Sequence, residues 1–335
     1  MRFRRTGPVN GSRPAAAGVA AGRSGEDTPC ARPFFGFAAR RLRWRVTRTS
    51  LPWQSKTVLL LVLPVAGADV VLETHEWIVN RPAVAIWTLG LSALLGLITL
   101  QLRAATPVAS LTGALITASL MFSTVAFPYE AFGTALIPVL AVSLLAFGAT
   151  RVGRAKKERL GTAEARRGRS ASQVAANLGI AALVTSEFAQ SWLADHRWLS
   201  HATPAPMPLF AAGLAALAEA AADTVSSEIG QVLGGRPRMI TTLRPAEPGR
   251  DGAISVAGSL AGVLAAGVVA AAGALPVRGG LTMFWIAATG AVFGLFFDSL
   301  LGATLEDRAW LNNDAVNFLS TASAAALALL LLKLR

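Results

Sequence analysis

From Thr57 to Leu332 the chain is a succession of long apolar blocks, several of them about twenty residues with few or no charges. Inside a bilayer no water satisfies an open backbone, so a block of that length has one stable solution, the transmembrane helix. Nine candidate spans follow: Thr57–Leu72, Ala83–Leu102, Pro107–Phe127, Ala131–Thr150, Ser172–Leu193, Met207–Ser227, Ala253–Leu275, Leu281–Ala303 and Ala315–Leu332. The first is the weakest, being short and carrying Pro64 and Asp69. The expected fold class is all-α, a polytopic transmembrane bundle occupying residues 57–335. Charged residues make up 15% of the chain, against about 25% in ordinary soluble domains, which agrees with that reading.

The net charge of +12 would suit a nucleic-acid binder, but its distribution argues against one. Basic residues crowd the N-terminal segment and a few loops between apolar blocks, as the positive-inside rule places them. Arg151–Arg169 carries eight basic residues against Glu158 and Glu164, which puts that loop in the cytoplasm. Alternation from there makes the N-terminus, Glu228–Gly252 and Leu305–Asp314 cytoplasmic too. Residues 1–56 are rich in Arg, Gly, Pro and Ala and read as a disordered segment. Arg40, Arg41, Arg43, Arg45 and Arg48, with Trp44 and Trp53, suit either a topology anchor or an interfacial helix on anionic lipid. The single cysteine, Cys30, excludes a disulfide framework, and the three histidines fall in short loops, which makes a zinc site improbable. The expected setting is the cell (plasma) membrane, multi-pass.

Walker, protein-kinase, Gly-x-Ser-x-Gly and His-Glu-x-x-His motifs are absent. Four polar clusters remain, all on the cytoplasmic side of the assigned topology. Arg166 to Asn177 brings a basic loop into a helix start, where unpaired N–H groups welcome an anion; a plain topology loop with a packed Asn177 is the alternative. In Ala222–Glu228, Ala215, Glu219, Asp223 and Ser227 recur every fourth residue as one stripe, useful for a ligand or for interhelical hydrogen bonds. Asp298 continues a Gly290, Gly294, Gly302 stripe and so faces a close-packed seam, where a carboxylate suggests function. Asn312, Asn313 and Asp314 suit a helix cap, whereas Asn317 lies one turn inside. Hard carboxylate oxygens beside a basic loop suit Mg²⁺ with phosphate. Asp69 reads as a proton or ion site or the mark of a re-entrant segment, and Glu187 as a bundle hydrogen-bonding residue. Ser110-Leu111-x-Gly113-x-Leu115 and Ser259-Leu260-x-Gly262-x-Leu264 hint at a repeat, although coincidence among small residues in Ala/Gly-rich helices accounts for them slightly better.

At these clusters the chain resembles the integral-membrane family of animal transmembrane protein 19 and the plant phytyl-phosphate kinase. The matching stretches are Thr150–Gly161, Gly168–Gly179, Ala222–Gly230, Pro248–Ser255, Phe297–Asp307 and Leu311–Ser320. Val225 and Gly252-Ala253 depart from the family pattern, and the first fifty-odd residues have no counterpart in it. The resemblance implies a Mg²⁺-dependent prenyl-phosphate kinase that transfers a phosphoryl group from a nucleotide to an isoprenoid lipid monophosphate. On that reading Asp223, Glu228 and Asp298 hold Mg²⁺, Arg169, Lys156 and Lys157 grip phosphate, and Asn177, Asn313 and Asn317 orient oxygens. For the three carboxylates to converge, the sixth span has to end or loosen between Thr224 and Ser227. The rival reading is a transporter or lipid translocator of an anionic substrate, drawing on Asp69, Glu187 and the repeat.

Overall fold

The computed structural model describes residues 51–163, 167–195, 207–276 and 280–334. The N-terminal arginine cluster, His196 and His201 lie outside the described residues. Eleven helices appear among those described: α1 (Pro52–Asn80), α2 (Pro82–Gln101), α3 (Pro107–Phe122), α4 (Leu136–Arg151), α5 (Arg154–Leu160), α6 (Ala171–Thr185), α7 (Glu187–Asp195), α8 (Met207–Leu233), α9 (Val256–Ala274), α10 (Gly280–Leu301) and α11 (Asn313–Lys333). A two-residue antiparallel ladder, β1 (Arg238–Met239) with β2 (Ala253–Ile254), ties the loop between α8 and α9. The protein is an all-α polytopic membrane protein.

Among the described residues six helices are long and apolar enough to cross a membrane (α1, α2, α8, α9, α10 and α11). The pair α4 and α5, bent by 65°, makes a seventh if taken as one broken span. The expected nine full-length spans are not what the helices present. At 16 and 15 residues, α3 and α6 fall short of the roughly 20 that a crossing needs. The fifth expected span breaks at Ser186, whose ψ of 154° leaves the helical region, and α7 starts afresh at Glu187. The first span is longer than expected: α1 starts at Pro52, five residues early, and runs through Pro64 for 29 residues.

Helix α8 is the axis, with 89% of its apolar window buried. Its run of alanines lets α4, α6, α9, α10 and α11 pack directly against it, because small side chains allow close backbone approach. Gly294 shows the tolerance: a Cβ there would lie 2.6 Å from Cγ of Glu219. By contrast α1 is peripheral, presenting only the stripe Gln54, Val58, Val62, Ala66 and Asp69 to the bundle.

Asp69 ends that stripe. One carboxylate oxygen accepts from Ser119 Oγ (2.5 Å) and the other from the Glu187 backbone N–H (3.0 Å). The second bond satisfies a donor exposed by the break before α7. Both oxygens thus serve the joint between α1, α3 and the α6–α7 bend. Glu187 is the first residue of α7, its side chain accepting from Ser191.

Candidate functional site

The ends of the helices carrying the four polar clusters meet at one end of the bundle. The turn after α2 and the loop before α6 run side by side: Arg169 N–H donates to Ala104 O and Thr106 N–H to Arg169 O, both at 3.0 Å. Gly168 makes this possible, with a φ of 81° and no room for a Cβ, which would sit 2.5 Å from the Ala104 carbonyl carbon. Arg169 is held there, its guanidinium donating to Thr224 Oγ1 of α8 (3.4 Å) within electrostatic reach of Asp223. Helix α6 then starts under a reciprocal cap between Ser170 and Gln173.

Beside Arg169 lies a polar cavity of about 200 Å³. Its walls are Asp223, Ser227 and Gln231 of α8, the Pro248–Ser255 segment, Asp298 and Glu306 near the end of α10, and Asn313 and Asn317 of α11. A π-helical turn, Gly302–Glu306, carries Glu306 to the rim, and Arg250 straps the covering loop to it through Asp307 (3.2 Å). Asn312 caps α11 by accepting from Ala315 N–H (2.9 Å), while Asn313 and Asn317, four residues apart, share the face toward the cavity. The Asn317 amide donates to Asn177 Oδ1 on α6 (3.0 Å), joining two of the polar clusters.

Inside the cavity Asp223 and Asp298 lie within hydrogen-bonding contact. Two carboxylates so placed repel unless a proton or a cation lies between them. Asp298 Oδ2, Gln231 Oε1 and Glu219 Oε1 are buried without a hydrogen-bond partner. All three are acceptors, so the unmet demand is for donors or positive charge. A hard divalent cation fits that demand, with Asp223 and Asp298 as the residues able to hold it.

Glu228 does not join them, and this corrects the expected triad. Among the described residues no group of three or more Asp, Glu, His or Cys side chains is placed to hold a metal ion. Helix α8 runs unbroken through Thr224–Ser227 to Leu233, which keeps Glu228 about 140° around the helix from Asp223. There it accepts from Lys157 Nζ at 2.5 Å. The lysines are likewise engaged. Lys157, buried, also donates to Ala149 O (2.8 Å) and Thr150 O (3.1 Å), and Lys156 donates to Val232 O (2.7 Å). These are carbonyls from the last turns of α4 and α8, which lack helical partners and carry the negative end of the dipole. Neither lysine lines the polar cavity.

Of three further acidic groups near the site, Glu219 was read only as part of the α8 stripe, and Glu306 and Asp251 were not singled out in the sequence. Glu219, one turn before Asp223 on the same stripe, is fully buried against Ser320 with Asp298 close by. Its periodicity was visible, but nothing in the sequence showed that α10 would meet it. Glu306 and Asp251 reach the cavity through the π-turn and the loop, features without a sequence signature.

A second, apolar cleft of about 410 Å³ lies among α2, α3, α4 and α6, and Arg169 and Asn177 are in its lining.

Comparison with known proteins places residues 90–325 in a match to the family described as Integral membrane protein DUF92. An uncharacterized membrane protein of Methanocaldococcus jannaschii is 40% identical over 108 residues, 32% of this chain and 45% of that protein. One from Synechocystis is 34% identical over 202 residues, 57% of this chain and 71% of that protein. The chloroplastic protein VTE6 of Arabidopsis thaliana is 28% identical over 208 residues, 61% of this chain and 60% of VTE6. The chain thus spans under half of the first relative and about three fifths of VTE6. No solved structure matches the chain.

Proposed function

The chain belongs to the DUF92 family of integral membrane proteins, and from that premise we propose that it is a prenyl-phosphate kinase. A lipid monophosphate oxygen attacks the terminal phosphorus of a nucleoside triphosphate. The bond from that phosphorus to the bridging oxygen breaks, giving a lipid diphosphate and a nucleoside diphosphate. The acceptor phosphate is a dianion at neutral pH, so no proton has to be removed. Such transfers depend on positioning and charge neutralisation more than on covalent chemistry.

The observation that carries this reading is a surplus of buried acceptors around Asp298, with the Arg169 guanidinium held on α8 at Thr224 within electrostatic reach of Asp223. Asp223 and Asp298 would hold Mg²⁺, which supplies neutralisation of phosphate charge when bound. Arg169 grips the acceptor phosphate, tethered through Thr224 so that it stays beside the cavity. Asn177 and Asn317 brace α6 against α11, and with Asn313 they orient phosphate oxygens. The resemblance to the family of the plant phytyl-phosphate kinase supports an isoprenoid acceptor. A transport path would draw on Asp69, but both its oxygens are occupied by structural donors.

Purified full-length protein in lipid discs, given γ-labelled nucleoside triphosphates, Mg²⁺ and prenyl monophosphates, should yield labelled lipid diphosphate and an equal amount of nucleoside diphosphate. Transfer from no nucleotide to any of the lipids would overturn the reading.

The site faces the cytoplasm of the plasma membrane on this proposal, because the Arg151–Arg169 loop is strongly basic. In a Cys30→Ala background, Gly161→Cys should react with a membrane-impermeant thiol reagent only after the cells are opened, and Glu130→Cys in intact cells. Reaction of both from one side would reject the orientation.

A further inference from the structure

We propose that the apolar cleft among α2, α3, α4 and α6 is the binding site for the single hydrocarbon tail of an isoprenoid monophosphate, with Arg103 and Arg151 holding its phosphate at the mouth. The cleft follows α4 from Val139 to Arg151, about 18 Å at the helical rise. That slightly exceeds half of a roughly 30 Å hydrocarbon core, so a tail lying in it would sit at one leaflet's depth. Its volume of about 410 Å³ is near the lower end of the 300–1,000 Å³ typical of small-molecule sites. That suits one chain and not the two of a bilayer phospholipid. Two threonine hydroxyls of the lining are engaged by their own helices: Thr117 donates to Gly113 O (2.7 Å) and Thr150 to Ala146 O (2.7 Å).

The mouth is of the opposite character. Arg103, Arg151, Arg154 and Arg169 all line it. Arg154 pairs with Glu158 and Arg169 is held by α8. Arg151 reaches from α4 to α2, donating to Leu102 O (3.3 Å) with its guanidinium over the Phe147 ring at 3.5 Å. Arg103 has a φ of 53°, a conformation side chains other than glycine rarely adopt and which tends to be retained where function requires it. Among the described residues neither Arg103 nor Arg151 pairs with a carboxylate. An apolar slot closed by unneutralised guanidinium groups is complementary to an amphiphile with one tail and one anionic head. With Arg169 in the same wall, such a head lies next to Asp223, where the kinase reading, on which this inference rests for its choice of lipid, needs the acceptor.

The test is equilibrium binding without nucleotide, on the full chain in lipid discs, using farnesyl monophosphate, farnesol and dioleoyl phosphatidic acid. A Cβ on Gly113 meets only Val174, at 3.7 Å. Gly113→Ala should therefore fold like the parent, and Gly113→Phe, filling the slot, should bind farnesyl monophosphate at least tenfold more weakly. Arg151→Gln and Arg103→Asn should each weaken farnesyl monophosphate at least tenfold and farnesol less than threefold. Unchanged binding in Gly113→Phe, unchanged binding in both arginine variants, or displacement of the probe by equimolar phosphatidic acid would overturn the assignment. Parent protein that binds as expected but transfers nothing would sink the kinase and leave the cleft. Transfer that proceeds while Gly113→Phe binds normally would do the reverse.

Discussion

Asp298→Asn should lower phosphoryl transfer on the order of 10³-fold without harming insertion or stability. Charge-stabilising groups in a water-poor site are typically worth about 10²–10³ in rate, and Asp298 is both in contact with Asp223 and the bearer of an unpartnered oxygen. The folded state should not suffer, because the amide removes one negative charge from a group of facing carboxylates while keeping the shape. Thermal unfolding should place the variant at or above the parent in the absence of divalent cation. Adding Mg²⁺ should raise the parent's midpoint, by an amount equivalent to about 2.7 kcal/mol at a hundred times the dissociation constant, and leave the variant unmoved. A variant that retains activity and the Mg²⁺ response would remove Asp298 from the site. One that unfolds in the absence of metal would show that Asp298 has a structural partner.

Much of this site was legible because it depends on periodicity within single helices. Asp298 continues a four-residue glycine stripe, and α10 does bring it into the seam with α8. Asp223 and Ser227 share a stripe, and both line the cavity. Asn177 and Asn317, six and four residues beyond the first residues of their helices, meet across α6 and α11. What was not legible depends on contacts between distant segments or on breaks that leave hydropathy unchanged. Thr185-Ser186-Glu187 interrupts the apolar pattern, and Ser186, whose Oγ accepts from Ala189 N–H (3.4 Å), caps α7; the apolar residues on both sides made the two helices look like one span. Lys156 and Lys157 looked like phosphate ligands because a basic run looks the same whether it faces an anion or a helix end. Their real partners are carbonyls of α4 and α8 and the Glu228 carboxylate, brought together by the 65° bend between α4 and α5. Arg151 was read only as a topology charge and Arg103 was not singled out, since the cleft they close is formed by four helices.

The reassignment of Glu228 has the largest expected effect on stability, and it can be separated from catalysis. Lys157 and Glu228 have side chains only 1% and 13% exposed, so their pairing is nearly dry. Removing one partner of such a pair leaves an uncompensated charge and is destabilising by about 3–5 kcal/mol, whereas replacing both with apolar groups is often close to neutral. Lys157→Met should therefore unfold far more readily than the parent, since it strands Glu228 and frees the Ala149 and Thr150 carbonyls as well. Glu228→Leu alone should also be destabilised, because the Lys157 ammonium would keep only those two carbonyls. The double variant Lys157→Met, Glu228→Leu should recover most of the loss, less the contribution of the two α4 carbonyls. If Glu228 serves only as counter-ion to Lys157, the double variant should transfer phosphoryl groups within a few-fold of the parent and keep the Mg²⁺ shift in its unfolding midpoint. Should the double variant fold well, yet lose both transfer and the Mg²⁺ shift, Glu228 would return to the cation site as its third carboxylate. Helix α8 would then have to open between Thr224 and Ser227 in the working enzyme, releasing Glu228 from Lys157 when the cation binds.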